Sequence, residues 1–190
     1  MDIYLTFAYH RIKQHNSPMQ TMTAAWLLPV VAPVVASACG GNVSAAISNV
    51  YPNQAFDIIL ASYILLGAGL PLALMILTMY LHRLIVFNLP AKRFVVSFCL
   101  PLGPLGQSTF ALIKLGNSAR TTAATLGRDG SLPLALYNAG VMCGLILWGF
   151  GLWWVYIAMH SLSARIRKRD LAFELSFWGL VFPLGDSPCI

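Results

Sequence analysis

Four stretches without a single charged side chain constrain this chain more than anything else in it. They cover residues 24–41, 58–81, 94–113 and 132–159, and run from 18 to 28 residues. A helix rises about 1.5 Å per residue, so about 20 apolar residues cross a hydrocarbon layer about 30 Å thick. Buried helical runs of soluble proteins are shorter, about 10 to 14 residues. A transmembrane barrel would show alternation of period two, which these runs lack. Composition agrees: 58% of residues are hydrophobic and 9% charged, against about 25% charged in a soluble domain. The fold class expected is an all-α integral membrane protein. It has four full transmembrane helices and the start of a fifth at 171–185. Residues 1–23 form an N-terminal segment, 24–185 a membrane domain and 186–190 a short tail that does not continue an apolar helix.

The net charge of +6 does not point to nucleic acid, because Lys and Arg sit in the polar gaps between apolar runs. On one side lie Arg11, Lys13, Arg83, Lys92, Arg93, Arg165, Arg167, Lys168 and Arg169; on the other, Lys114, Arg120 and Arg128. That asymmetry predicts a cytoplasmic N-terminus, with the first, third and fifth segments running outward. The N-terminus is not a secretory signal, since Asp2 comes first and the basic residues follow the apolar patch. Cys39, Cys99, Cys143 and Cys189 show no CxxC spacing, so they read as small hydrophobes rather than metal or redox groups. Asn42-Val43-Ser44 matches a glycosylation acceptor but lies against the membrane. Residues 42–54 and 117–131 read as polar loops.

Proline placement is the most informative local feature. The outward segments carry Pro29 and Pro33, Pro101 and Pro104, and Pro183; in their interiors the inward ones carry only Pro71. A mid-helix proline removes a hydrogen bond, and in lipid the freed carbonyl needs protein or a watered cavity. A packing kink is the plain reading of one such proline; paired prolines in helices of one direction favour a pore. Gln107, after the Gly- and Pro-rich run 101–106, is a membrane amide that faces either a neighbouring helix or a cavity. Gly140 and Gly144 have the spacing of close helix packing. Trp148, Trp153, Trp154 and Tyr156 read as an interfacial belt. No HExxH, GxSxG or phosphate loop occurs, so no enzyme, cofactor or metal is expected. No Lys or Arg falls inside the four runs, so a fixed cation in the membrane is not expected either. An anion would be attracted only by the positive ends of broken helices.

The run Thr23-Ala24-Ala25-Trp26-Leu27-Leu28-Pro29-Val30-Val31-Ala32-Pro33 resembles the fifth helix of fungal sulfite efflux pumps. Those pumps belong to the tellurite-resistance/dicarboxylate transporter family, with malate permeases and plant slow anion channels. Phe87-Asn88-Leu89-Pro90 and residues 101–107 are similar to the pattern before and in the seventh helix, and residues 177–185 to the ninth. The resemblance implies a fold of ten helices in five hairpins, with odd-numbered helices around a pore, of which this chain holds about the fifth to the ninth. It implies a plasma-membrane protein, in trimers, moving sulfite through a pore lined by Pro29, Pro33, Pro101, Pro104, Gln107 and Pro183. Phe182 matches the family's gate phenylalanine. A C4-dicarboxylate permease or anion channel is the alternative within transport, and a membrane assembly subunit needing a partner chain the alternative outside it. The chain by itself is expected not to transport.

Overall fold

The computed structural model describes residues 24–87, 99–127 and 131–167. These hold a 3-10 turn, Ala24–Leu27, and four helices: α1 Leu28–Ile47, α2 Pro52–Phe87, α3 Leu102–Thr125 and α4 Ser131–Arg167. Among the described residues there is no strand. The expected segment 171–185 lies outside the described residues.

The helices form an up-and-down bundle. Leu27 at the end of the 3-10 turn and Val30 at the start of α1 meet Leu77 and Tyr80 late in α2, Leu105 at the start of α3 and Trp154 late in α4. At the other end, the Thr125 hydroxyl makes a long hydrogen bond to the Ser48 carbonyl, 3.5 Å, and the Arg120 guanidinium lies over the Tyr137 ring. A second apolar cluster nearer that end joins Val34, Ala38, Ile59, Leu66, Ala111 and Leu115. Contacts are most extensive between α3 and α4, then between α1 and α2 and between α1 and α3.

Three helical stretches are long and apolar enough to cross a membrane: Leu28–Ile47, Pro52–Val86 and Ser131–His160. α2 and α4, with 36 and 37 residues, exceed a layer about 30 Å thick and must tilt or project beyond it. α3 departs from the sequence expectation. It starts at Leu102 rather than at 94 and runs to Thr125, through residues expected to form a loop. Both ends have local causes. Pro101 is the N-cap and Pro104 lies in the first turn, where a missing N–H costs no intrahelical bond. The helix ends at Gly127, whose φ of 63° suits glycine as the residue after a C-cap. There the Leu126 and Gly127 N–H groups donate to the Thr122 and Ala124 carbonyls. α1 also runs past its expected end, so Asn42 and Ser44 are helical rather than in a loop.

The tightest packing is backbone to backbone. A Cβ on Gly140 would lie 2.7 Å from the Leu112 carbonyl oxygen, and one on Gly116 2.9 Å from the Tyr137 Cα. Small residues thus bring α3 and α4 together, with Gly140 and Gly144 both buried against α3. Trp154 corrects the expected aromatic belt. It is fully buried and stacks on Tyr80 at 6.0 Å, while Trp148, Trp153 and Tyr156 are exposed. Adjacent helical residues point about 100° apart, because a turn takes 3.6 residues.

Candidate functional site

Pro29 sits in the first turn of α1, and Pro33 is the proline inside it. Because Pro33 has no N–H, the Pro29 carbonyl loses its helical partner. Pro33 is half-buried and packs on α2, where a Cβ on Gly69 would lie 3.2 Å from its Cγ. Pro101 and Pro104 are fully buried. They initiate α3 rather than interrupt it, so among the described outward helices only α1 is broken by an interior proline. Gln107 is half-buried, one turn into α3. Phe182 and Pro183 lie outside the described residues. Among the described residues, no three His, Cys, Asp or Glu side chains converge to hold a metal ion.

α3 has two faces of different chemistry. The buried face carries Ser108, Thr109, Ser118 and Thr122 among Leu105, Ala111, Leu115 and Gly116. Its hydroxyls are mostly used locally. Ser108 donates to the Pro104 carbonyl at 2.6 Å and Thr109 to the Leu105 carbonyl at 2.9 Å. Across the seam to α1, Ser44 and Ser118 share a hydrogen bond of 2.8 Å, and Ser44 also reaches the Gly41 carbonyl. This face is polar yet sealed.

The other face is open. Gln107, Phe110, Lys114, Asn117 and Thr121 recur every three or four residues, which places them on one side of the helix. Gln107 and Phe110 are half-buried; Lys114, Asn117 and Thr121 are exposed. Lys114 lies near mid-helix, roughly 17 Å from either end at 1.5 Å per residue. Its Nζ lies 5.4 Å from the centre of the Phe110 ring, one turn back toward the helix start. α1 meets the base of the side chain, where a Cβ on Gly41 would lie 3.2 Å from the Lys114 Cβ. Asp57 is the only carboxylate among the described residues.

Lys114 lies within the helix α3, just beyond the third uncharged run of the sequence. A hydropathy reading puts it in a loop, because Lys114, Asn117 and Arg120 follow one another closely. The signal that finds it is periodic. The 3-4 spacing of polar residues continues past Ile113, and after Gly116 no glycine or proline follows until Gly127.

Comparison with known proteins gives the following matches. The family model described as SLAC1, voltage-dependent anion channel, matches residues 2–186. The sulfite efflux pump SSU1 of Arthroderma otae is 42% identical over 175 residues, covering 90% of this chain and 44% of the pump. SSU1 of Candida albicans is 27% identical over 197 residues, covering 96% of this chain and 39% of the pump. The malic acid transport protein of Schizosaccharomyces pombe is 21% identical over 184 residues, covering 95% of this chain and 41% of that protein. The chain thus spans less than half the length of these curated relatives. No solved structure matches.

Proposed function

The chain belongs to the SLAC1 voltage-dependent anion channel family, and from that premise we propose that it is part of a plasma-membrane exporter of sulfite. One observation carries the substrate: 42% identity to a sulfite efflux pump across 90% of this chain. The mechanism is passage of a small anion along a path between helices, without covalent chemistry. α1, interrupted at Pro33, and α3, with Gln107 near its start, contribute to the lining. So do Pro29, Pro101, Pro104 and, beyond the described residues, Pro183. Phe182 serves as the gate in this reading. The N-terminal segment lies in the cytoplasm, and the working assembly is a trimer with the ten-helix pore fold implied by resemblance.

A C4-dicarboxylate permease is the second reading, supported by the 21% identity to a malic acid transport protein. The test is efflux of radiolabelled sulfite and malate from cells expressing the complete protein that carries this chain, in a host without its own sulfite exporter. Faster sulfite than malate efflux is expected. Malate efflux without sulfite efflux would replace the first reading by the second. Phe182→Ala should raise sulfite efflux, and unchanged efflux would remove Phe182 from the gate.

A further inference from the structure

We propose that the C-terminal ends of α1 and α3 form a site for a monovalent alkali cation such as Na+, held by hydroxyl and carbonyl oxygens around Thr122. The site goes beyond the transport reading above and does not depend on which anion moves.

The two helices run parallel and stop together. Ser44 of α1 meets Ser118 of α3 at 2.8 Å, and further on the Thr125 hydroxyl lies 3.5 Å from the Ser48 carbonyl. α1 ends at Ile47 and α3 at Thr125. Each of these ends carries the partial negative charge of its helix dipole, and two such ends side by side repel. A cation between them relieves the repulsion, and helix C-termini inside membrane transporters coordinate alkali ions in this way.

The hydroxyls add to the same sign. A hydroxyl has one hydrogen to donate and two lone pairs to accept with. Along this seam the hydrogens are committed to carbonyls of the same helix: Ser44 donates to Gly41, Ser48 to Ala45 and Thr125 to Thr122. With Ser44 engaged in that way, Ser118 gives its hydrogen to Ser44 and keeps its own lone pairs. What these groups still offer a ligand is acceptors.

Thr122 is the residue that points to a ligand. Its side chain is 0% exposed, and among the described residues its hydroxyl has no hydrogen-bond partner, which is costly for a buried polar group. Thr122 comes four residues after Ser118 and three before Thr125, the two α3 residues whose hydroxyls reach α1. That spacing places it on the same face of the helix.

Nearby charges leave the sign unopposed. α1 contains no charged residue and α3 no acidic one. The two cations of α3 turn elsewhere: the Arg120 guanidinium lies over Tyr137 of α4, and the Lys114 ammonium over Phe110, toward the helix start. Divalent ions draw on carboxylates, so neutral hydroxyl and carbonyl oxygens suit Na+ or K+ instead. An anion would meet one free hydrogen, that of Thr122, among these lone pairs.

The test is thermal unfolding of the complete protein that carries this chain, purified in detergent. It is run at equal ionic strength in sodium, potassium or N-methyl-D-glucamine chloride, the last cation being too large for a site between helices. Sodium or potassium should raise the melting temperature by about 2 to 4 °C over N-methyl-D-glucamine, because a ligand of the folded state alone stabilises it. Thr122→Val keeps the shape of the side chain, removes its oxygen and should abolish that increment. Ser44→Ala, on the facing helix, should reduce it severalfold, which tests the site even where Thr122→Val does not fold. Thr78→Val removes an exposed hydroxyl of α2 that bonds to its own helix and should leave the increment unchanged. Equal melting temperatures in the three salts would mean that water alone fills the seam, and would overturn the proposal. An increment that survives both Thr122→Val and Ser44→Ala, or that disappears equally in Thr78→Val, places the ion elsewhere and overturns it too.

Discussion

α3 and α4 pack against each other more extensively than any other pair of helices here, yet their open sides are opposite in chemistry. α4 exposes Leu134, Met142, Leu145, Ile146, Leu152 and Met159. α3 exposes Lys114, Asn117, Arg120 and Thr121. Exposure alone does not say what a membrane helix faces, because lipid and water both lie outside the protein. The side chains do say it: the apolar face of α4 suits acyl chains, and the polar face of α3 suits neither lipid nor a dry core. The comparison also separates two uses of polarity within α3. On its sealed face, Ser108 and Thr109 donate to carbonyls of their own helix and Ser118 meets Ser44 of α1. On its open face, Lys114, Asn117 and Thr121 are exposed.

The comparison breaks first where the two helices touch. Gly140→Leu would drive a side chain into the Leu112 carbonyl and should cost at least about 3 kcal/mol, the upper part of the overpacking range. The expected result is loss of the monodisperse peak in size-exclusion chromatography in detergent. A wild-type profile would mean that α3 and α4 stand further apart than described. Next comes the contrast between neighbouring tryptophans. Trp154→Ala removes a fully buried ring stacked on Tyr80 and should destabilise by about 3 to 5 kcal/mol. Trp153→Ala, on the exposed side of α4, should cost much less in the same thermal unfolding assay. Equal shifts would contradict the burial difference.

Smaller effects sharpen the reading of the sealed face. Ser118→Ala removes the bond to Ser44, but Ser44 keeps the Gly41 carbonyl. The expected loss is about 0.6 kcal/mol, the average for such bonds between membrane helices. A loss several times larger would assign the α1–α3 seam a greater share of the stability. At the bottom of the scale, Ile146→Val on the open side of α4 should leave the melting temperature within error, since surface changes usually fall within about 0.5 kcal/mol.

The sequence makes α1, α2 and α4 legible because lipid demands long uncharged runs, and their residues supply them. It misplaces α3 because hydropathy cannot distinguish a polar helix sheltered by its neighbours from a polar loop. Asn117, Ser118, Thr121 and Thr122 look alike in composition, yet Ser118 and Thr122 are buried while Asn117 and Thr121 are open. Periodicity carries that difference, and tertiary packing settles it. The candidate prolines show the same limit. Pro101, Pro104 and Pro33 are equally conspicuous in the sequence, but two of them start a helix and one interrupts it. Which end of a helix a proline occupies depends on where the helix begins, and that is the least readable boundary in a run of apolar residues.

The polarity of α3 has a further consequence for how the protein is made. α3 does not meet the length and apolarity standard for crossing a membrane that the other three helices meet. Emerging alone from the ribosome, it would partition poorly out of the insertion machinery. Its close partner α4 follows within a few residues, with Gly140 and Gly144 ready to seat against it. We therefore expect α3 to integrate only as a helical hairpin with α4. A nascent chain truncated after Gly127 should leave α3 accessible to protease in microsomes, and one extended through α4 should protect it. Protection of the truncated chain would mean that α1 and α2 alone suffice to draw it in.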